Sequence, residues 1–195
     1  MFDVNEDYVR RITGIRKGNI SLTFEPNSSK CNGCDLWHVE IKSNTTTVAI
    51  GFGASNGEMM GSRVNGNPSV ISNCRYRYEE ITPEYEFVMI NPDCSNPEPF
   101  CDQELEVCRP CQTNAECLRE NITTYVPLDI GVVFNRYDML AINANANASY
   151  DEQFEICDIY VNGSIVYTNR TNIEICKQNL LNFVECVNGI CSGAG

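Results

Sequence analysis

The chain has 195 residues, a net charge of −12, 12 cysteines and a single histidine. That length suits one large domain or two small ones. The acidic balance excludes a nucleic-acid partner, since nothing would neutralise phosphates, and it disfavours an anionic membrane surface.

In chain order, MFDVNEDYVRRITG (1–14) is charged and lacks the apolar core of a signal peptide, so in a secreted protein the signal would lie outside this numbering or Met1 would not be the initiator. DVNED (3–7) imitates the start of a calcium loop, but Tyr8 stands where the loop needs Gly and Gly14 where it needs Glu. In ISLTF, Ile20, Leu22 and Phe24 alternate with Ser21 and Thr23, the period of a half-buried strand. HVEIK repeats the pattern after Trp37, with Val39 and Ile41 inward. TTVAIGFG (46–53) and YEFVMI (85–90) are further strands, and RYRY (75–78) places Tyr76 and Tyr78 on one face. GFGASNG (51–57) has neither a Walker lysine nor GxGxxG, so it is no phosphate loop. No apolar run approaches the ~20 residues of a membrane span.

LAINANANASY (140–150) reads as one long strand. Leu140, Ile142, Ala144, Ala146, Ala148 and Tyr150 would line one face, small enough for another sheet or subunit to approach closely. IYVNGSIVY (159–167) is a hairpin signal around Asn162-Gly163. TNIEICKQNLLNFVEC (171–186) is the best helix: Thr171 and Glu174 form a capping box, and Ile173, Cys176, Leu180 and Phe183 share a face. Asn188-Gly189 is read as its end, and a shorter capping box, Thr113 with Glu116, opens one turn. The layout is a β-rich part (1–93), a proline- and cysteine-rich module (94–117) and a second β-rich part with a terminal helix (118–195). The two β-rich parts could together form one sandwich.

The cysteines are Cys31, Cys34, Cys74, Cys94, Cys101, Cys108, Cys111, Cys117, Cys157, Cys176, Cys186 and Cys191. Zinc ribbons need two close pairs some 12–20 residues apart, whereas the tight pairs Cys31/Cys34 and Cys108/Cys111 are far more widely separated. A thioredoxin-type CxxC needs a strand before it and a helix opening at it, but Cys108/Cys111 lies among three other cysteines and Pro97, Pro99 and Pro110. The even count points instead to disulfides and an oxidising compartment. Five cysteines fall within 94–117, so full pairing requires at least one bridge to leave that stretch.

Seven sequons are present, at Asn19, Asn27, Asn44, Asn121, Asn147, Asn162 and Asn169, where composition alone would give about three. They describe a glycosylated extracellular surface. Any Ser-His-Asp or Cys-His centre would have to use His38, which sits inside a strand, so no catalytic set and no metal site are assigned.

Two stretches carry a resemblance. LWHVEIKSNTTTVAIGFGASNGEMMGSRV (36–64), with its strand led by Trp37, its VAIGFG strand and its MMGS turn, resembles the first half of a DOMON domain. RYRY, Pro83 and GVVFNRYDML (131–140) extend it. That family is an extracellular β-sandwich binding haem or sugars, and the resemblance implies Met59 or Met60 as one axial haem ligand. The second ligand, a later His, has no counterpart after His38, which puts carbohydrate ahead of haem. FCDQELEVCRPCQTNAEC (100–117) is similar to EGF-like or knottin-like cysteine modules of cell-surface proteins, which implies a cross-linked scaffold and no particular ligand.

The expected fold is mainly β: an antiparallel sandwich, immunoglobulin-like or DOMON-like, with a disulfide-stapled insertion and a short C-terminal helix. The expected function is that of a structural glycoprotein subunit of an extracellular filament, appendage or coat. Its partners would be copies of itself, with ISLTF as a candidate for strand addition between subunits and covalent N-glycans as the sole attached groups. The alternatives are a DOMON-like ligand-binding module and a secreted hydrolase using two carboxylates.

Overall fold

A computed structural model describes residues 1–75, 94–125 and 132–195, with the strands Arg77–Glu79 and Tyr85–Ile90. The faces expected for Tyr76 and Tyr78, and Pro83, lie outside the described residues. The protein is mainly β, with antiparallel sheets and, among the described residues, two α-helices. It divides into two units: Met1–Cys74 with Cys101–Arg109, and Arg75–Phe100 with Pro110–Gly195. The cysteine-rich stretch 94–117 is therefore shared between them.

The first unit opens with α1 (Glu6–Thr13) and continues as β1 (Asn19–Ser28), β2 (Cys34–Lys42), β3 (Thr47–Gly53), β4 (Met59–Val64) and β5 (Asn67–Pro68). β6 (Arg77–Glu79) and β7 (Tyr85–Ile90) belong to the second unit, and the hairpin β8 (Phe100–Asp102) and β9 (Val107–Arg109), apart from Phe100, falls to the first. The second unit is completed by β10 (Leu118–Tyr125), β11 (Phe134–Ala141), β12 (Ala146–Asp151), β13 (Ile156–Val161) and β14 (Ser164–Arg170). After these come α2 (Ile173–Leu181) and the hairpin β15 (Val184–Val187) and β16 (Ile190–Gly193).

In the first unit, β1 to β5 form an antiparallel meander in chain order. Val39, Ile41, Val48, Ile50, Phe52 and Val64 are buried on one face, as the alternation of β2 and β3 requires. Val9 of α1, with Leu105 and Val107 of the β8–β9 segment, completes that core. The calcium-like DVNED turns out to start this helix: the Asn5 side chain accepts from the Tyr8 N–H at 3.0 Å, and Gly14 ends it in the left-handed conformation. Phe2 is held by its N–H on the Ala54 carbonyl at 2.7 Å. Gly57 has φ +71, and a Cβ there would lie 2.5 Å from the Phe2 ring, so both conformation and closeness require glycine.

The second unit's sheet runs β14-β13-β12-β11-β10-β7-β6, again antiparallel. Here one expectation is corrected. LAINANANASY is not a single strand: residues 142–145 form a turn between β11 and β12, with Asn143 and Asn145 in the left-handed region. Asn tolerates that conformation as few other residues do, so an alternating Ala/Asn run that suits a strand by period suits a turn equally well. The small face is nevertheless real, since Ala146, Ala148 and Tyr150 are buried. Helix α2 packs on β11, β12 and β13, and its Cys176 and Leu180 share a core with the two alanines.

The helix begins one residue later than its expected capping box. Asn172, not Thr171, is the cap, accepting from the Ile175 N–H at 2.9 Å. It stops at Leu181, and Asn188-Gly189 turns the β15–β16 hairpin instead of ending a helix. Asn162-Gly163 is the expected hairpin turn, both residues having positive φ. Among the described helices, none is long and apolar enough to cross a membrane.

Candidate functional site

Every cysteine is oxidised. The first unit holds Cys31–Cys34 and Cys74–Cys101; the second holds Cys111–Cys186, Cys117–Cys191 and Cys157–Cys176. Cys94 and Cys108 are disulfide-bonded as well. Three bridges thus leave the 94–117 stretch, and Cys111 of the CxxC is joined not to Cys108 but to Cys186, 75 residues away. Sulfurs of Cys111, Cys117 and Cys186 lie within 4.8 Å of one another, a spacing that would suit a metal if they were thiolates. As disulfides they offer no thiolate.

These bridges converge on the β15–β16 hairpin. Cys186 and Cys191 face each other across it, one bonded to Cys111 and the other to Cys117. The Asn96 amide clamps Cys191 from both sides, donating to its carbonyl at 2.8 Å and accepting from its N–H at 3.0 Å. Cys186 N–H donates to Asn114 Oδ1 at 2.9 Å. Thr113 precedes a single 3₁₀ turn, where Glu116 accepts from the Gln112 N–H at 2.6 Å.

The sequons divide by exposure. Asn19, Asn27, Asn44, Asn147, Asn162 and Asn169 are exposed, while Asn121 on β10 is half-buried and its buried Oδ1 has no hydrogen-bond partner among the described residues. Asn44 Nδ2, the atom a glycan would take, donates to Glu104 at 3.0 Å. An N-linked sugar leaves that nitrogen one N–H, so the contact is compatible with glycosylation.

Beside Asn44 lies a buried acid that the sequence did not single out. Asp102 accepts from the hydroxyls of Thr45 at 2.5 Å and Thr46 at 2.6 Å, and from the Leu105 N–H at 2.9 Å. Arg109, also buried, brings its Nε to 3.8 Å. Burial pushes the carboxyl up, but the two hydroxyls, the backbone N–H and the guanidinium together outweigh it and hold its pKa below the ordinary value. The arrangement locks the β8–β9 segment to the β2–β3 turn. Among the described residues the shifted carboxyls, Glu25, Glu40 and Asp102, move down, the direction opposite to that of an acid catalyst of glycoside hydrolysis.

Near Met60 the surface forms a cleft of about 640 Å³, lined by Met1, Asp35, Ala54, Glu58, Met60 and others. Met60 is 58% exposed and Met59 36%, so neither is a core residue. His38 on β2 does not line this cleft; it pairs with Thr23 and Gly51 across the sheet. Of the two methionines that the resemblance implied as a haem ligand, Met60 lines the cleft.

No protein family, curated protein or solved structure matches the chain.

Proposed function

We propose that this chain is a structural glycoprotein subunit of an extracellular assembly, with further copies of itself as partners. The observation that carries the reading is the cysteine framework: bridges joining residues 74 and 75 apart in sequence, with both ends of Cys117–Cys191 fully buried. Such bridges form and persist in an oxidising compartment. Six exposed sequons and an acidic surface fit the same setting. ISLTF lies in β1 and pairs with β2 of its own sheet, so exchange is not needed to complete the fold.

The second reading, a DOMON-like module for a carbohydrate, rests on the cleft beside Met60. One experiment separates them. Glycosylated protein is followed by sedimentation velocity and negative-stain imaging over a wide concentration range, with a glycan array in parallel. A filament or closed particle supports the assembly reading. A monomer at every concentration that binds a sugar saturably replaces it with the module reading.

A further inference from the structure

Four of the seven sequons lie in pairs along β1 and β14, each of which ends one of the two large sheets. β1 is the outer strand of the first sheet, and Asn19 is its first residue and Asn27 its last but one. β14 is the outer strand of the second sheet, with Asn162 in the turn that leads into it and Asn169 next to its end. All four asparagines are exposed. The opposite ends of the sheets, β5 and β6, carry none. Asn67-Pro68-Ser69 on β5 has the right outer residues, but its central proline forbids the modification.

The two kinds of edge differ in what they need. A free strand edge is a template for pairing with another chain unless it is short, charged, bulged or covered. β5 has two residues, one of them proline, and β6 has three. β1 has ten and β14 seven. Within them ISLTF and SIVYT are uncharged, rich in β-branched and aromatic residues, and free of proline, the composition that promotes cross-strand association. On β14, Ile165 is 59% and Val166 54% exposed. Such segments call for flanking gatekeepers: ISLTF has Lys17 three residues before it and Glu25 directly after, whereas SIVYT has only Arg170 close by, two residues after its end. A register shift between Glu25 and Ser28 blunts only the far end of β1.

We infer that N-glycans at Asn19 and Asn27, and at Asn162 and Asn169, cap the free edges of β1 and β14 and keep them from pairing with another chain. The spacing suits that role: eight and seven residues separate the members of each pair, so at about 3.3 Å per residue no point on either edge is more than about 13 Å from an attachment site. This rests on the extracellular glycoprotein reading and deepens it, because subunit contacts must then be made away from these two edges.

The test removes the glycans without touching the asparagines. Ser21→Ala, Ser29→Ala, Ser164→Ala and Thr171→Ala are combined, and each strand's pair is also made alone; Ser149→Ala, which frees Asn147 on the interior strand β12, is the control. Site occupancy is read by glycopeptide mass spectrometry, association by sedimentation velocity, and strand burial by amide exchange. The four-site variant is expected to associate at concentrations at least about tenfold lower than the parent, with new protection in Ile20–Phe24 and Ile165–Thr168. Each two-site variant should gain protection in its own strand alone, and the control should match the parent. Association and protection unchanged in variants that fold and lack the glycans overturn the inference. So does a parent protein glycosylated at Asn44 and Asn147 but bare at these four sites. A secreted protein bare at every sequon overturns the glycoprotein reading itself.

Discussion

The two units seal an antiparallel sheet with the same parts, one short helix and one hairpin, yet fill the space between with different chemistry. The first unit's buried cluster is valine, isoleucine, leucine and phenylalanine, with no cysteine in it. The second places five half-cystines, Cys111, Cys117, Cys157, Cys176 and Cys191, and three alanines, Ala141, Ala146 and Ala148, among its buried residues. Small side chains let α2 lie close on the sheet but remove little apolar surface from water. Covalent cross-links supply what that core lacks, by restricting the unfolded chain. The first unit's core is therefore apolar burial without cysteine, whereas the second adds buried bridges to an apolar core that includes Met139, Ile159 and Leu180.

The largest expected effect follows directly. Reduction should open the second unit while the first keeps amide protection in β2 and β3. Replacing both Cys117 and Cys191 by Ala should cost about 4.5 kcal/mol by loop entropy, against about 2 kcal/mol for the short Cys31–Cys34 loop. Denaturant melts of the two double variants measure this, and equal losses would erase the distinction between the units.

Side-chain volume should divide the units in the opposite sense. Phe52 is wholly buried in the first core, so Phe52→Ala should cost about 3–5 kcal/mol through the cavity it leaves. Ala148 is buried beneath the face that α2 covers, so Ala148→Leu should cost about 1–3 kcal/mol through overpacking. Protection followed strand by strand tells which unit each change loosens. Phe52→Ala loosening β11–β13 as much as β3 would count against two separately filled cores.

Much of this was legible in the residues, and the failures have a common cause. Strand period located ISLTF, HVEIK and VAIGFG, and Ile173, Cys176 and Leu180 do share the packed helix face, because periodic apolar positions report burial directly, while Phe183 falls beyond the helix end at Leu181. Asparagine was the ambiguous letter. Asn-Gly at 32–33, 65–66, 162–163 and 188–189 has positive φ at both residues, yet only the pair at 162–163 was read as a hairpin turn. Asn143 and Asn145 hid a turn within an apparent strand, and Asn5 and Asn172 capped helices where a calcium loop and a threonine drew attention. One side chain serves turns, caps and sequons, so sequence alone cannot assign it. The Asp102 cluster was invisible for another reason: its partners Thr45 and Thr46 are 57 and 56 residues away, brought together only by the fold.

The smallest effect expected is also the one that sets the units furthest apart in kind. Asp102 in the first unit has a depressed pKa, so its contribution to stability is present above the ordinary aspartate value near 4 and is lost as pH falls through the folded-state value. Tyr137 and Tyr150 are cross-strand partners in the second unit, with ring centroids 5.9 Å apart, and both phenols are pushed up, chiefly by burial. A raised phenol pKa favours the neutral form, so that contribution is complete below about pH 10 and is lost as pH rises through the folded-state value. With every cysteine oxidised, no free thiolate is present to start disulfide exchange in that alkaline range. Amide exchange against pH should therefore show β3 and β9 loosening first in acid, and β11 and β12 first in alkali. Asp102→Asn should flatten the acid limb, Tyr137→Phe should flatten the alkaline one, and neither should move the other. If both units instead loosen together at both limits, the protein responds as one cooperative body and the difference between the two cores has no bearing on how it unfolds.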